Sequence, residues 1–186
     1  GFAAAADLTI RGHQVTLYEY EDFKETIEAI QEQGYIDLEC LPSNGLTGGK
    51  AYVHKITSDV KEAFVDSDII FVIMPSFGHK AISKTIAPYI KENSIVVLTP
   101  ANFGGSIVFY RNLIENGCDK SVCVAEFDTM MYATRKTQLK KGKAYGGSWI
   151  RGYKQNLGCA VFPSNNTDSV FSKLKNVYPT IVKRDN

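Results

Sequence analysis

The sequence has no surplus of charge of either sign: 21 lysines and arginines face 20 aspartates and glutamates. That leaves no basic footprint for a nucleic-acid backbone and no acidic tail. No apolar run approaches the roughly eighteen residues of a membrane span, and no basic, apolar and small-residue leader is visible. A cytoplasmic location, with neither nucleic acid nor membrane as partner, is the expectation. The four cysteines, Cys40, Cys118, Cys123 and Cys159, match no zinc or redox spacing, so reduced thiols and no metal are expected. Repeats and low-complexity stretches are absent, and so is an initiator methionine, which leaves open a targeting segment before Gly1. What is there is ordinary globular material: 186 residues, 44% of them apolar, enough for a single domain over 1–186 with a proper core.

The chain opens on Gly1-Phe2-Ala3-Ala4-Ala5-Ala6-Asp7-Leu8, a glycine followed by small helix formers, and Gly12 stops the run. Residues 14–20 then read as a β-branched and aromatic strand ending in an acid. In a dinucleotide-binding unit the third glycine of G-x-G-x-x-G opens the first helix, where a missing side chain lets helix and sheet pack closely. Gly1 fits that position, and Glu19 then fits the acid about twenty residues on that binds the adenosine ribose. The chain would thus start inside the motif, as part of a longer protein. The alternative is that Gly1 is a chance residue ahead of an alanine-rich helix.

Further on, Phe23, Ile27 and Ile30 predict a helix over 22–33 closed by Gly34, and residues 35–41 alternate as a half-buried strand. Residues 51–57 read as another strand, the pair forming an inserted hairpin, and Thr57 or Ser58 can cap a short helix through Phe64. Residues 68–74 and 94–99 are nearly continuous apolar runs, as in strands covered on both faces, with a helix over 77–90 between them. A helix over 106–115 and a strand over 121–126 follow. Residues 132–136, 144–150 and 157–162 read as short strands continuing the sheet antiparallel, before a helix over 167–177. The expected class is α/β: a Rossmann-like doubly wound, mostly parallel sheet lacking its first strand, with an antiparallel C-terminal extension.

Ligands of such sheets bind beyond the carboxyl ends of the strands. The strand ends supply the candidate cofactor residues Gly1, Phe2, Glu19, Tyr20, Met74, Pro75, Ser76, Phe77, Pro100, Asn102, Glu126 and Thr129. For Pro75 the alternative is a plain strand terminator, and for Glu126 a buried acid satisfied by backbone donors or by Arg135. His13, His54 and His79 read as surface or capping residues, Trp149 as packing, and Lys140, Lys141 and Lys143 as a solvated turn. No catalytic residue is assigned.

With Gly1 to Leu8, Gly12-His13 and Val15 to Glu19, the sequence also carries Thr99-Pro100-Ala101-Asn102-Phe103-Gly104-Gly105 and Ala125-Glu126 with Thr129, Tyr132-Ala133 and Arg135. In this ordered set it resembles the opine dehydrogenase family, the octopine and nopaline dehydrogenase group. The resemblance implies the cofactor-binding half of a two-domain enzyme that reduces, with NAD(P)H, the imine of an amino acid and a 2-oxo acid. It places the catalytic histidine in a helical domain beyond Asn186, so weak NADH binding without turnover is expected of these residues alone. Glu19 with Glu21 and Asp22 would repel a 2′-phosphate, favouring NAD over NADP, while Arg11 and Lys24 work against that preference. Glycerol-3-phosphate dehydrogenases, ketopantoate reductases and a non-catalytic nucleotide-binding module are the competing readings.

Overall fold

Four successive alanines lose no side-chain freedom on entering a helix, and Phe2–Ile10 forms α1 in the computed structural model, which describes residues 1–101, 103–140 and 143–184. The small side chains also let α1 pack closely: Ala3, Ala4, Ala5 and Ala6 are all buried. After Gly12, β1 is Thr16–Tyr18, shorter than the predicted strand. A single 3-10 turn then leads into α2, Glu25–Gln33, which Gly34 ends at φ 79°, a conformation that glycine adopts without the Cβ penalty. Next come β2 (Ile36–Cys40), β3 (Gly49–Ala51), β4 (Lys55–Thr57) and α3 (Val60–Phe64). The middle of the chain alternates β5 (Ile69–Val72), α4 (His79–Ile86), β6 (Ile95–Leu98), α5 (Gly105–Glu115) and β7 (Cys123–Phe127). The last elements are β8 (Tyr132–Lys140), β9 (Lys143–Tyr153), β10 (Leu157–Phe162), α6 (Thr167–Val177) and β11 (Ile181–Lys183).

The chain divides into two compact units, Gly1–Asp59 with Tyr132–Tyr153, and Val60–Met131 with Lys154–Asn186. In the first unit β1 and β4 pair in parallel, Leu17 opposite Ile56, and a separate four-stranded sheet runs in the order β3-β2-β9-β8. Both α1 and α2 pack on that sheet. At Gly146 a Cβ would lie 2.6 Å from Ile30 Cγ1 and 3.0 Å from Ile30 Cα, so β9 meets α2 closely there only because the side chain is missing.

The second unit is a five-stranded sheet in the order β11-β10-β7-β6-β5. Strands β5, β6 and β7 are parallel, β10 runs antiparallel to β7, and β11 runs parallel to β10. All four residues of β6 are buried, which requires cover on both faces, as the apolar run predicts. Phe109, Leu113, Phe127, Leu174 and Tyr178 fill the core around them. Each such side chain contributes about 1.5–3 kcal/mol through burial.

Two expectations need correction. The segment 51–57 is not one strand: β3 pairs antiparallel with β2, as the hairpin reading requires, but β4 leaves it to pair with β1. Three-residue strands carry too little alternation to reveal a change of partner. Of the three strands expected to extend the sheet antiparallel, only β10 does so. β8 and β9 form a long hairpin joined in parallel to β2, with Asp37 opposite Gly147. Side-chain period defines a strand's faces but says nothing of which edge it joins.

Candidate functional site

In the first unit Leu17, buried in β1, fixes the strand, and the ladder continues one residue further as the Glu19 N–H donates to the Thr57 carbonyl at 3.2 Å. The half-buried Glu19 carboxylate accepts the Tyr20 N–H at 3.0 Å and the Thr26 hydroxyl at 3.4 Å. It is therefore anchored at the start of α2 rather than free to swing, while a carboxylate has about four acceptor positions to offer. The Tyr20 ring sits edge-on to Tyr18 at 5.6 Å.

Helix α1 begins beside β1. A Cβ on Gly1 would touch Leu17 Cδ1 at 3.7 Å, an ordinary contact. The close-packing reason for a glycine is thus weaker here than the sequence suggests, and alanine would fit. Gly1 offers no capping side chain and the first turn holds no acid; the first helical bond runs from the Ala5 N–H to the Gly1 carbonyl at 2.9 Å. The amides of the first turn therefore have no acceptor within the helix and point out of its positive end. Over the Phe2 ring, 4.3 Å from its centroid, lies the ammonium of Lys136 from β8, which also donates to the Thr26 carbonyl at 3.3 Å. Burial lowers the pKa of Lys136, while the charges of Glu19 and Glu25 raise it.

Helix α1 is held from below by a polar cluster. Asp7, 1% exposed, accepts two bonds from Arg11, at 2.7 Å and 3.0 Å, and one from the Tyr132 hydroxyl at 2.6 Å. An isolated carboxylate would not survive such burial; this one is paired and hydrogen-bonded. Neither Lys136 nor this cluster was identified from the sequence. A charged residue inside an alanine run, with Arg11 four positions on, was the available signal for Asp7. For Lys136 there was none.

The second unit holds the remaining candidates. After β5, Met74 folds over Gly78, and the Gly78 N–H donates to the Pro75 carbonyl at 2.9 Å, closing a 3-10 turn at Ser76–Gly78. Pro75 is exposed, Ser76 half-buried, and Phe77 is 89% exposed. The ends of β6 and β7 are brought together. Beyond half-buried Pro100, the Ala101 N–H donates to the Phe127 carbonyl at 3.0 Å, and the Thr99 hydroxyl donates to the Thr129 carbonyl at 3.4 Å. Asn102 lies outside the described residues, as does Lys141 of the lysine turn.

Glu126 Oε2 accepts the Ser106 N–H at 2.7 Å, so its carboxylate caps α5 from the neighbouring strand. Of the two readings of Glu126, the backbone-satisfied acid describes this bond. The Arg135 guanidinium, the other partner proposed for it, donates to the Thr134 carbonyl at 3.0 Å.

His79, expected as a surface or capping residue, is neither: it is the first residue of α4, whose N-cap is Gly78, and it is buried. It is 7% exposed, its ring edge-on to Phe109 at 5.9 Å, with Nε2 lacking a hydrogen-bond partner. Desolvation lowers its pKa, and the Met74 carbonyl, accepting from the ring, opposes that. His13 lies in the turn after α1, and His54 meets the Gln14 amide at 3.0 Å. Trp149 stacks under Arg151 at 4.5 Å. All four cysteines are free, and burial pushes Cys159 up to about 12. Among the described residues no group of His, Cys, Asp or Glu is placed to hold a metal, and no helix is long and apolar enough to cross a membrane.

No family model matches the chain. Over all 186 residues it is 28% identical to an opine dehydrogenase of Arthrobacter sp. (strain 1C), covering 100% of this chain and 48% of that protein. The chain resembles the opine dehydrogenases. Its structure superposes on NADP+-bound yersinopine dehydrogenase with a TM-score of 0.78 at 15% identity, covering 100% of this chain and 44% of the other. Octopine dehydrogenase with NADH and L-arginine gives 0.73 at 18% identity, over 99% and 44%. Those two likenesses carry the Rossmann-like α/β fold. A shorter match, 30% identical over 99 residues, is to a glycerol-3-phosphate dehydrogenase [NAD(P)+] of Thermoanaerobacter sp. (strain X514), covering 52% of this chain and 27% of that protein. The chain thus spans less than half the length of these curated relatives.

Proposed function

We propose that residues 1–186 are the cofactor-binding part of an NAD(P)-dependent oxidoreductase of the opine dehydrogenase kind, joining an amino acid to a 2-oxo acid by reduction of their imine. One observation carries the reading: α1 starts without a capping side chain or an acid, beside the strand that ends in an anchored carboxylate, Glu19. This is the pairing of anion site and ribose acceptor that a dinucleotide needs. When bound, the nicotinamide supplies the hydride. The chain's own residues bind and orient it: the first-turn amides of α1 receive the pyrophosphate, with Gly1 and Phe2 at its edge, and Glu19 accepts the ribose hydroxyls beside Tyr20.

In the second unit, Met74, Pro75, Ser76 and Phe77 after β5, Pro100 after β6 and Thr129 after β7 stay candidate nucleotide contacts by their place beyond strand ends, as does Asn102 by its place in the sequence. Glu126 contributes chiefly by holding α5 in place. The substrates are small molecules, an amino acid and a 2-oxo acid, and NAD is preferred to NADP. The full-chain similarity to an opine dehydrogenase supports this choice of chemistry over others that use the same nucleotide unit.

The test is a fluorescence titration with NADH. Glu19→Ala should weaken binding about tenfold, the loss expected when a charged acceptor is removed from two hydroxyls; unchanged affinity would sink the reading. The second reading, a glycerol-3-phosphate dehydrogenase-like enzyme, rests on the 99-residue match. Reduction of dihydroxyacetone phosphate by the full-length enzyme, without activity on pyruvate plus amino acids, would favour it.

A further inference from the structure

We infer that Lys136 is a specificity-determining residue of this site, the group that lets a 2′-phosphorylated nucleotide bind beside Glu19. The inference rests on the nucleotide reading above. A carboxylate at the end of β1 suits the two free hydroxyls of a ribose and repels a phosphate placed on one of them. Glu21 in the 3-10 turn and Glu25 at the start of α2 follow within six residues and add negative charge, so without a nearby cation a 2′-phosphate there would be repelled strongly.

The two cations adjacent in sequence are already engaged. The Arg11 guanidinium is bound to buried Asp7, and the Lys24 ammonium pairs with Glu21 at 2.5 Å on the surface. Lys136 arrives from β8, more than a hundred positions along the chain, and is tethered at two points: the Thr26 carbonyl in the first turn of α2 and the face of Phe2 at the start of α1. Thr26 joins the two charges, its carbonyl accepting from Lys136 and its hydroxyl donating to Glu19, and the charges of Glu19 and Glu25 raise the lysine's pKa. An ammonium has three donors, and the Thr26 carbonyl takes one. The others remain for a phosphate, to which lysine binds as a mobile point charge. With NAD bound, the same charge balances Glu19 and Glu25. With NADP bound, it meets the added phosphate.

The experiment measures dissociation constants for NADH and NADPH on the wild-type chain, Lys136→Met and Lys136→Arg. Lys136→Met should weaken NADPH about tenfold, the worth of one charge-assisted hydrogen bond, and change NADH less than about twofold. Lys136→Arg should keep the wild-type ratio. Adenosine 2′,5′-bisphosphate against 5′-AMP isolates the added phosphate and should repeat the pattern. Equal losses for both dinucleotides in Lys136→Met would show that the lysine serves the pyrophosphate or the fold, and would overturn the inference alone. An unchanged ratio would do the same. If the wild-type chain binds neither dinucleotide, the nucleotide reading falls and takes this inference with it.

Discussion

At the start of α5 the Glu126 carboxylate, reaching over from β7, accepts the Ser106 N–H at 2.7 Å; at the start of α1 the cap residue is Gly1 and the first turn has no acid. Both helices begin with the same exposed backbone donors and the same positive end. In the second unit the protein fills that end with its own anion; in the first no first-turn acid does so, and this is the end that the nucleotide reading assigns to the pyrophosphate. The fastening differs too. The second unit is held by apolar side chains such as Phe109 and Phe127, whereas α1 is tied down through a buried carboxylate, a guanidinium and a phenol. A helix end that must present its amides to a ligand cannot be held by a cap at that end. It is fixed at Asp7, from one turn further along.

The largest effect should come from cutting that fixture. Asp7→Ala leaves the Arg11 guanidinium and the Tyr132 hydroxyl without their carboxylate, at about 3–5 kcal/mol, to be read by denaturant unfolding. If the loss stays below about 1 kcal/mol, the contrast in fastening is wrong.

Phe2→Asp gives α1 the first-turn acid it lacks. NADH affinity should drop at least about tenfold while stability changes by less than about 1 kcal/mol, since an acid there suits the helix dipole. Retained affinity would mean that the open end is not where the pyrophosphate lies.

The opposite change, Glu126→Gln, should cost about 1 kcal/mol of stability through the weakened cap and leave NADH binding within about twofold. A larger loss of affinity than of stability would move Glu126 from holding α5 to binding the nucleotide.

The smallest effect concerns pH. Burial lowers the pKa of His79 below its ordinary 6.5, so as pH falls through that value the unfolded chain takes up a proton that the folded chain resists. Stability contributed by the neutral ring is fully present above 6.5 and declines below it. Thermal unfolding above and below that pH should show a steeper acid-side decline for wild type than for His79→Phe. Identical slopes would mean that the ring is not shielded by Phe109.

The α/β class, the buried middle strands, the stop at Gly34 and the helix Thr167–Val177 were all legible in the chain, because apolar period and glycine punctuation act over a few residues. That Gly1 opens a helix and that Glu19 directly follows the next strand was legible for the same reason: both belong to one helix-strand unit. What the sequence by itself determined, then, is which segments are helix or strand and which local residues stand at their ends. Tertiary structure alone decided that 51–57 splits between two sheets, that the β8–β9 hairpin joins β2, and that Tyr132 and Lys136 arrive at α1. Strand pairing depends on edges distant in sequence, and a buried or tethered charge is stable only beside partners that folding brings to it.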